Sequence, residues 1–151
     1  MAEAGPDNEI WELAIHREVE AYDFYMTLAQ RIDNPEMQKI FKDLANEELE
    51  HKAKLELEIL KTGRTLPLEQ QFPNSTTYYR SGNIDSQLKM DYKDLLLLAI
   101  QKEEASFRTY INLLSNVYDQ ASRDVLLAIA EEEVKHKLRF EIEYDMLLKK
   151  T

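Results

Sequence analysis

The chain has 151 residues, 44% of them hydrophobic and 32% charged, with only 3 Gly and 4 Pro, a composition typical of a soluble domain made of long helices. Its formal net charge is −10, which opposes binding to nucleic acid and to anionic membranes. Cysteine is absent, and this excludes disulfides, thiolate nucleophiles, iron–sulfur clusters and rubredoxin-type iron sites within the chain.

The beginning of the chain and its longest apolar run bear on location. The first eight residues contain neither the basic patch nor the apolar run of a signal peptide. The longest aliphatic run, residues 95–100, is far shorter than a membrane span. We therefore expect a cytoplasmic protein without a membrane partner.

Apolar residues recur every three, four or seven positions from early in the chain, a spacing that indicates amphipathic helices. A first helix is predicted to begin at Pro6 and to end before Asn34, which caps a second helix that has Pro35 in its first turn. Gly63 then suits a left-handed helix stop. These signals predict an antiparallel helical hairpin over residues 7–62.

The rest of the chain predicts a long connection and a second hairpin. Residues 63–90 carry Pro and Gly without sustained periodicity, and we interpret them as a crossover connection. Helical periodicity returns over residues 91–149, where Asp91 and Asp119 are the predicted caps of a third and a fourth helix. The predicted fold is all-α: a single domain, residues 1–151, in which two helical hairpins form a four-helix bundle.

A glutamate and a histidine three residues apart occur twice in these helices. Glu48 and His51 recur as Glu133 and His136, 85 positions later, and the apolar pattern assigns all four to the interior. Side chains three residues apart share one face of a helix, so each pair is able to bind the same ion. One such pair is weak evidence in a Glu-rich chain, but two pairs at one offset indicate two related hairpins.

Each Glu-x-x-His pair has a partner on the preceding helix. Glu18 and Glu103 are polar residues in otherwise apolar stripes, and each lies thirty positions before the glutamate of a pair. The midpoint of that interval falls in a predicted turn, so closing each hairpin brings the lone glutamate level with its pair. Four carboxylates and two imidazoles are thus predicted to lie in the interior.

Buried carboxylates need a counter-charge. Ionised groups in a low-dielectric core are costly unless they are protonated or bind cations, and two divalent ions cancel four carboxylates. Oxygen-rich sites with one imidazole per metal suit Fe(II) or Mn(II), and Zn(II) is able to occupy them. We therefore predict two metal ions held by six residues: Glu18, Glu48, His51, Glu103, Glu133 and His136.

Other polar and aromatic residues lie near these positions. Tyr25 and Tyr110 follow the lone glutamates by seven positions, where a phenol either hydrogen-bonds a ligand or packs as a core aromatic. His16 lies off the apolar stripe and has no Glu-x-x-His partner, so we expect it at the surface. The remaining nearby carboxylates are expected on exposed or flanking faces: Glu20, Glu47, Glu50, Glu104, Glu131 and Glu132.

On these residues the sequence resembles the ferritin-like di-iron proteins, and most closely their rubrerythrin-like branch, over residues 12–148. The resemblance implies terminal carboxylates, bridging carboxylates and one imidazole per metal: Glu18 and Glu103, Glu48 and Glu133, and His51 and His136, respectively. It also implies a ferritin-like bundle and two-electron chemistry, in which a di-iron(II) centre reduces hydrogen peroxide or dioxygen and is reset by an external reductant.

Two features depart from the rubrerythrin pattern. Full-length rubrerythrins carry a rubredoxin-type cysteine site, whereas this chain has no cysteine, so electrons would come from a separate partner such as a rubredoxin-like protein. Rubrerythrins also place an additional carboxylate near the third-helix ligand. One turn either side of Glu103 the chain has Ala99, Ile100, Ser106 and Phe107, so we expect a more symmetric site, like that of bacterioferritins.

Three functions are compatible with this site. The first is an oxidoreductase that consumes hydrogen peroxide or dioxygen. The second is a non-catalytic metal-binding or iron-handling protein, and the third is a di-iron oxygenase that acts on an organic substrate. We also expect a homodimer, because bundles of this kind often pair.

Overall fold

The computed structural model describes residues 6–63 and 91–150, and the regular structure of these residues is entirely helical. The helices, in chain order, are α1 (Pro6–Arg31), α2 (Pro35–Lys61), α3 (Tyr92–Leu114) and α4 (Gln120–Lys149). The chain divides into two compact units, Met1–Lys89 and Met90–Thr151. In the first unit α1 packs against α2, and in the second α3 packs against α4. The four predicted helices are confirmed, whereas the predicted connection lies outside the described residues apart from Gly63.

The turn of the first hairpin is set by Asn34 and Pro35. The side-chain oxygen of Asn34 accepts hydrogen bonds from the backbone N–H groups of Glu36 at 2.9 Å and Met37 at 3.3 Å. Two of the amides that a helix leaves without partners at its N-terminus are thereby satisfied. Pro35, which has no N–H, occupies the first position of α2 at no hydrogen-bonding cost. Only three residues separate α1 from α2, so the two helices must run antiparallel.

The other predicted helix ends are also confirmed. Asp91 accepts a hydrogen bond from the backbone N–H of Asp94 at 2.9 Å, and Asp119 accepts one from that of Ser122 at 3.0 Å. Gly63 follows the end of α2 with a φ of 79°, a left-handed conformation that a residue with a Cβ adopts only with strain.

A further contact, which the sequence did not reveal, ties each turn to the helix that follows it. Gln38 Nε2 donates a hydrogen bond to the carbonyl oxygen of Ile32 at 2.7 Å. Arg123, which stands 85 positions after Gln38, donates from Nη1 to the carbonyl oxygens of Leu114 and Val117 at 2.6 and 2.7 Å. The two hairpins thus share a device in which the residue four places after the cap closes the turn.

Each hairpin buries its own aromatic and aliphatic core. The largest fully buried aromatic side chains are Trp11, Phe24, Tyr25 and Phe41 in the first unit and Tyr110 and Phe140 in the second. Each large apolar side chain removed from water contributes about 1.5–3 kcal/mol to the free energy of folding. This burial fixes the rotation of every helix about its axis and therefore decides which polar side chains point inward.

None of the helices in the described part of the chain has an apolar stretch long enough to cross a membrane.

The cap of α2 gives a stability prediction. Replacing Asn34 with Ala removes the acceptor for two backbone N–H groups, and we expect the free energy of unfolding to fall by about 1 kcal/mol. The measurement is urea denaturation of the metal-free protein, followed by circular dichroism. Asn46→Ala is the matched control, because Asn46 is exposed within the same helix and caps nothing. Equal destabilisation by the two substitutions would contradict the capping role of Asn34.

Candidate metal centre

The first unit brings one carboxylate from α1 to a carboxylate and an imidazole from α2. His51 Nδ1 lies 3.3 Å from Glu18 Oε1 and 3.2 Å from Glu48 Oε1. Each of the three residues offers one ligand atom, and these atoms all lie within 4.8 Å of one another. All three side chains are buried. This cluster, called the first half-site below, has the donors and the spacing that a divalent ion requires.

The local structure explains why these side chains meet. Glu48 and His51 are three residues apart on α2 and therefore point from one face of the helix. That face also carries Leu44 and Leu55, which are buried, so packing of the apolar residues carries the two polar ones inward. Glu18 also points inward, from α1, and the short turn places it opposite Glu48 and His51 of α2. Packing of the hydrophobic core thus determines where Glu18, Glu48 and His51 lie.

The second unit repeats this arrangement with α3 and α4. His136 Nδ1 is hydrogen-bonded to Glu103 Oε2 at 2.9 Å and lies 3.7 Å from Glu133 Oε1. All three residues are buried. In both units Nδ1 is the ring nitrogen that faces the carboxylates, so this atom has the position of a metal ligand. We call this cluster the second half-site.

The electrostatics of the first half-site favour a positive charge. Burial of the imidazole of His51 lowers its pKa, but hydrogen bonds and charge interactions with Glu18 and Glu48 outweigh burial and raise the pKa to about 11. The two carboxylates therefore stabilise a cation where they surround Nδ1. A divalent ion brings the same sign of charge to the same place, and its binding would displace the proton from Nδ1. The residues of this half-site thus fit a metal ion in both donor chemistry and charge.

The two tyrosines near the half-sites are completely buried. The ring of Tyr25 stacks on that of Phe41, with 6.1 Å between ring centroids and 16° between ring planes. Tyr25 also meets Phe24 edge to face at 5.1 Å. This packing holds the ring of Tyr25 in one orientation, and the role of its phenol stays a prediction. Tyr110 is the corresponding buried aromatic of α3.

Several charged residues are more buried than the sequence indicated. The expectation that Glu20 lies on an exposed or flanking face was wrong, because Glu20 is buried. His16 Nε2 lies 3.4 Å from Glu20 Oε2, and Arg17 Nη1 lies 3.8 Å from Glu20 Oε1. His16 is half-buried rather than fully at the surface. The cause is local pairing: Arg17 on the same helix compensates the charge of the carboxylate, and the imidazole of His16 lies beside it.

Two further buried ionisable residues had no signal in the sequence pattern. Glu58 on α2 and Lys102 on α3 are buried, although neither belongs to a Glu-x-x-His pair. Glu58 Oε1 lies 3.7 Å from Lys61 Nζ. An i, i+3 pair of opposite charge is common on solvated helices, so the spacing alone does not distinguish a buried pair from an exposed one. The other carboxylates near the half-sites lie at the surface, as expected. Glu50 and Glu131 are exposed, and three are partly exposed: Glu47, Glu104 and Glu132.

The repeat extends to an ion pair beside each histidine. Lys52 Nζ lies 2.9 Å from Glu56 Oε2 in α2, and Lys137 Nζ lies 3.6 Å from Glu141 Oε2 in α4, again 85 positions further on. Lys137 differs in that its Nζ also lies 3.3 Å from Glu104 Oε1 on α3. The second hairpin therefore has a salt bridge between its helices on the flank of the half-site.

Comparisons with known proteins bear directly on this arrangement. The family model described as Rubrerythrin matches residues 9–144. Among solved structures, a hypothetical protein from Pyrococcus furiosus is similar, with 24% sequence identity, coverage of 95% of this chain and 90% of that chain, and a TM-score of 0.74. A search of the curated proteins found no significant match.

These findings confirm the predicted fold, an all-α ferritin-like four-helix bundle. The structural likeness, at 24% identity, bears on the fold alone. The family match covers most of the chain and includes both Glu-x-x-His pairs and both lone glutamates. Together with buried Glu and His groups that are able to bind metal, it leads to one conclusion: this chain belongs to the rubrerythrin family.

Proposed function

We propose that this protein is a di-iron oxidoreductase that reduces hydrogen peroxide or dioxygen with electrons from an external donor. The observation that carries the proposal is a buried pair of carboxylates around an imidazole Nδ1, present in the first half-site and repeated in the second. Membership of the rubrerythrin family supports the assignment of iron. Mn and Zn remain chemically compatible with the same donors.

The two half-sites are proposed to hold one ion each. Glu18, Glu48 and His51 would bind the first, and the second would bind to Glu103, Glu133 and His136. Two divalent ions would balance the charge of four carboxylates, which burial alone makes costly. The resemblance to rubrerythrins implies that Glu48 and Glu133 would each contribute a carboxylate to the di-metal centre.

The chemistry divides between the metal and the protein. Two ferrous ions held there would supply the two electrons that, together with two protons, reduce one hydrogen peroxide to two waters. The chain holds the donor atoms in place by burying both helical faces, and it keeps bulk water away from the half-sites. Tyr25 and Tyr110 are proposed to fix the carboxylates of the neighbouring helix by packing or hydrogen bonding. Because the chain has no cysteine, the electrons that restore the ferrous state come from a separate protein, for which a rubredoxin-like donor is suited.

Two other functions are alternatives to this proposal: iron handling without catalysis, and oxygenation of an organic substrate. A non-catalytic iron-handling protein would bind metal through the same six residues without rapid oxidation. An oxygenase needs an apolar pocket that opens on the metal ligands. A groove between α3 and α4 has none of the six proposed ligands in its lining, so it gives the oxygenase no support. Its lining residues are Glu104, Phe107, Arg108, Val134, Lys137 and Leu138.

Metal content tests the six ligands. In Glu48→Ala and Glu133→Ala we expect the affinity for Fe(II) to fall by more than about 100-fold, because loss of residues that merely support a ligand already costs 10–100-fold. Glu50→Ala and His16→Ala are the controls, since Glu50 is exposed within the same Glu-x-x-His stretch and His16 lies in another cluster. The measurement is equilibrium dialysis followed by elemental analysis. Equal metal content in all four variants would overturn the ligand assignment.

Rapid mixing tests the reaction. The protein is loaded anaerobically with two Fe(II) per chain and mixed with hydrogen peroxide or dioxygen while ferric absorbance is followed. We expect oxidation of two irons per peroxide, at a rate at least about 100-fold above that of the same concentration of Fe(II) without protein. Repeated turnover on addition of a reductant would support an oxidoreductase. Slow oxidation with no fixed stoichiometry and no preference between oxidants would leave only the iron-handling function.

A further inference from the structure

The two half-sites differ in a buried side chain that lies next to the ligands on α1 and α3. Three positions closer to the turn than Glu103, α3 carries Ser106, which is 2% exposed. At the offset of 85, Ser106 corresponds to Ala21 of α1, which is equally buried. The second half-site thus has a buried hydroxyl beside its ligands, and the first half-site has a methyl group in the same place.

Ser106 lies in a layer of small side chains between the ligands and a tyrosine. Tyr25 of α1 stacks on Phe41 of α2, and these two residues are equally far from the middle of their turn. By the same relation Ser106 lies opposite Ala130 of α4, which is also buried. Both side chains are small, so they fill less space than the ligands on one side and Tyr110 on the other.

The hydroxyl of Ser106 has no hydrogen-bond partner among the residues that the structure describes. Thr27 and Thr109 show the usual alternative, because each donates its hydroxyl to the backbone carbonyl four residues earlier, at 2.8 and 2.9 Å. A buried hydroxyl without a partner is unfavourable, and an alanine, as at Ala21, avoids this cost. The polar residue at this position therefore indicates that a bound molecule supplies the partner.

Helix geometry directs this hydroxyl toward the second half-site. The Cα–Cβ bond of a helical residue tilts toward the N-terminus of its helix, so Ser106 tilts toward the turn of α3 that carries Glu103. Glu133 belongs to the antiparallel helix α4 and tilts in the opposite direction, toward the level of Ser106. Residues three apart on a helix have Cβ atoms only about 5–6 Å apart. A small molecule held at the second half-site is therefore within reach of a hydrogen bond from Ser106 Oγ.

The donor atoms of the second half-site are also less evenly spaced than those of the first. His136 Nδ1 lies 2.9 Å from Glu103 Oε2 but 3.7 Å from Glu133 Oε1. The corresponding distances from His51 Nδ1 are 3.3 and 3.2 Å. Glu133 is thus the carboxylate that is held less closely by its imidazole, and it is the one that tilts toward Ser106. This spacing favours the second half-site for an additional small ligand.

We propose that Ser106 is a positioning residue that donates a hydrogen bond from Oγ to the oxidant, and that the second half-site is where the oxidant is held. The inference rests on the proposed function, since it takes the ligand to be the O–O molecule that the metal centre reduces. The hydroxyl would orient this molecule and stabilise the negative charge that it gains as it takes up electrons. The first half-site, with Ala21, would hold its ion without such a contact.

The first test uses azide, a small anion that binds to ferric ions, and the protein loaded with iron and oxidised. We expect Ser106→Ala to raise the dissociation constant of azide about tenfold, the effect of losing one hydrogen bond to a charged group. Ser122→Ala is the matched control, because Ser122 is equally buried but lies about three helical turns from Glu133. Iron content should be the same in all three proteins, since neither serine is a proposed ligand.

Four results of this test would overturn the proposal. They are a parent chain that binds no azide, an unchanged dissociation constant in Ser106→Ala, equal weakening in Ser106→Ala and Ser122→Ala, and loss of iron from Ser106→Ala. The last result would show that Ser106 supports the metal ligands rather than the oxidant.

The second test separates a hydrogen bond from a change of packing. The stretching vibration of bound azide, measured by infrared spectroscopy, shifts between H₂O and D₂O when an exchangeable hydrogen is bonded to it. We expect this shift in the parent chain and in Ser122→Ala, and its loss in Ser106→Ala. The same shift in all three proteins would contradict the proposed contact.

The third test distinguishes this inference from the proposed function. The three proteins are mixed in the ferrous state with hydrogen peroxide or with dioxygen, and the oxidant held by Ser106 is the one whose rate falls about tenfold in Ser106→Ala alone. Rapid oxidation that is independent of Ser106 with both oxidants would retain the function and overturn the inference. Azide binding that depends on Ser106, without rapid oxidation by either oxidant, would retain the contact and overturn the function.

Discussion

The rest of this protein depends on the cost of burying carboxylates. Glu18 and Glu48 are withdrawn from water in the first unit, as Glu103 and Glu133 are in the second. Apolar residues at these positions would make a more stable bundle, since a buried ion pair rarely repays its desolvation. The raised pKa of His51 shows how the metal-free chain limits that cost: a proton is retained on the imidazole that the carboxylates surround. A metal ion would do the same more completely, and its binding would therefore be coupled to folding.

Much of the fold could be predicted from the sequence because interactions between residues close in the chain determine where the helices begin and end. Asn34, Asp91 and Asp119 cap helices because their side chains reach nearby backbone amides, and this needs no knowledge of the tertiary structure. The positions of the proposed ligands were readable for a related reason. A polar residue inside an apolar stripe is carried inward by its neighbours, and the repeat at 85 positions separates this pattern from chance.

The features that the sequence did not reveal are side-chain contacts, and these depend on the rotamer that each side chain adopts. Glu20 was expected in water, but His16 and Arg17 on the same helix pair with it. The same spacing occurs in fully solvated helices. Gln38 and Arg123 reach back to turn carbonyls, and both residue types more often extend into solvent. The contact of the Tyr25 ring with Phe41 depends on how α1 and α2 pack, and the spacing of residues within one helix does not determine this.

The short turn of the first hairpin has a consequence for how the protein tolerates change. Three residues join α1 to α2, and both the cap and the Gln38 hydrogen bond are made within that span. The turn is too short to accommodate an inserted residue. An insertion would therefore unwind the end of one helix or shift one helix along the other. Such a shift alters the level of Glu18 relative to His51, although the turn lies about 21 Å from the ligands at 1.5 Å per residue. Changes of length in this turn should therefore be rarer among viable relatives than changes of residue type, because the turn sets the distance between donors that it never touches.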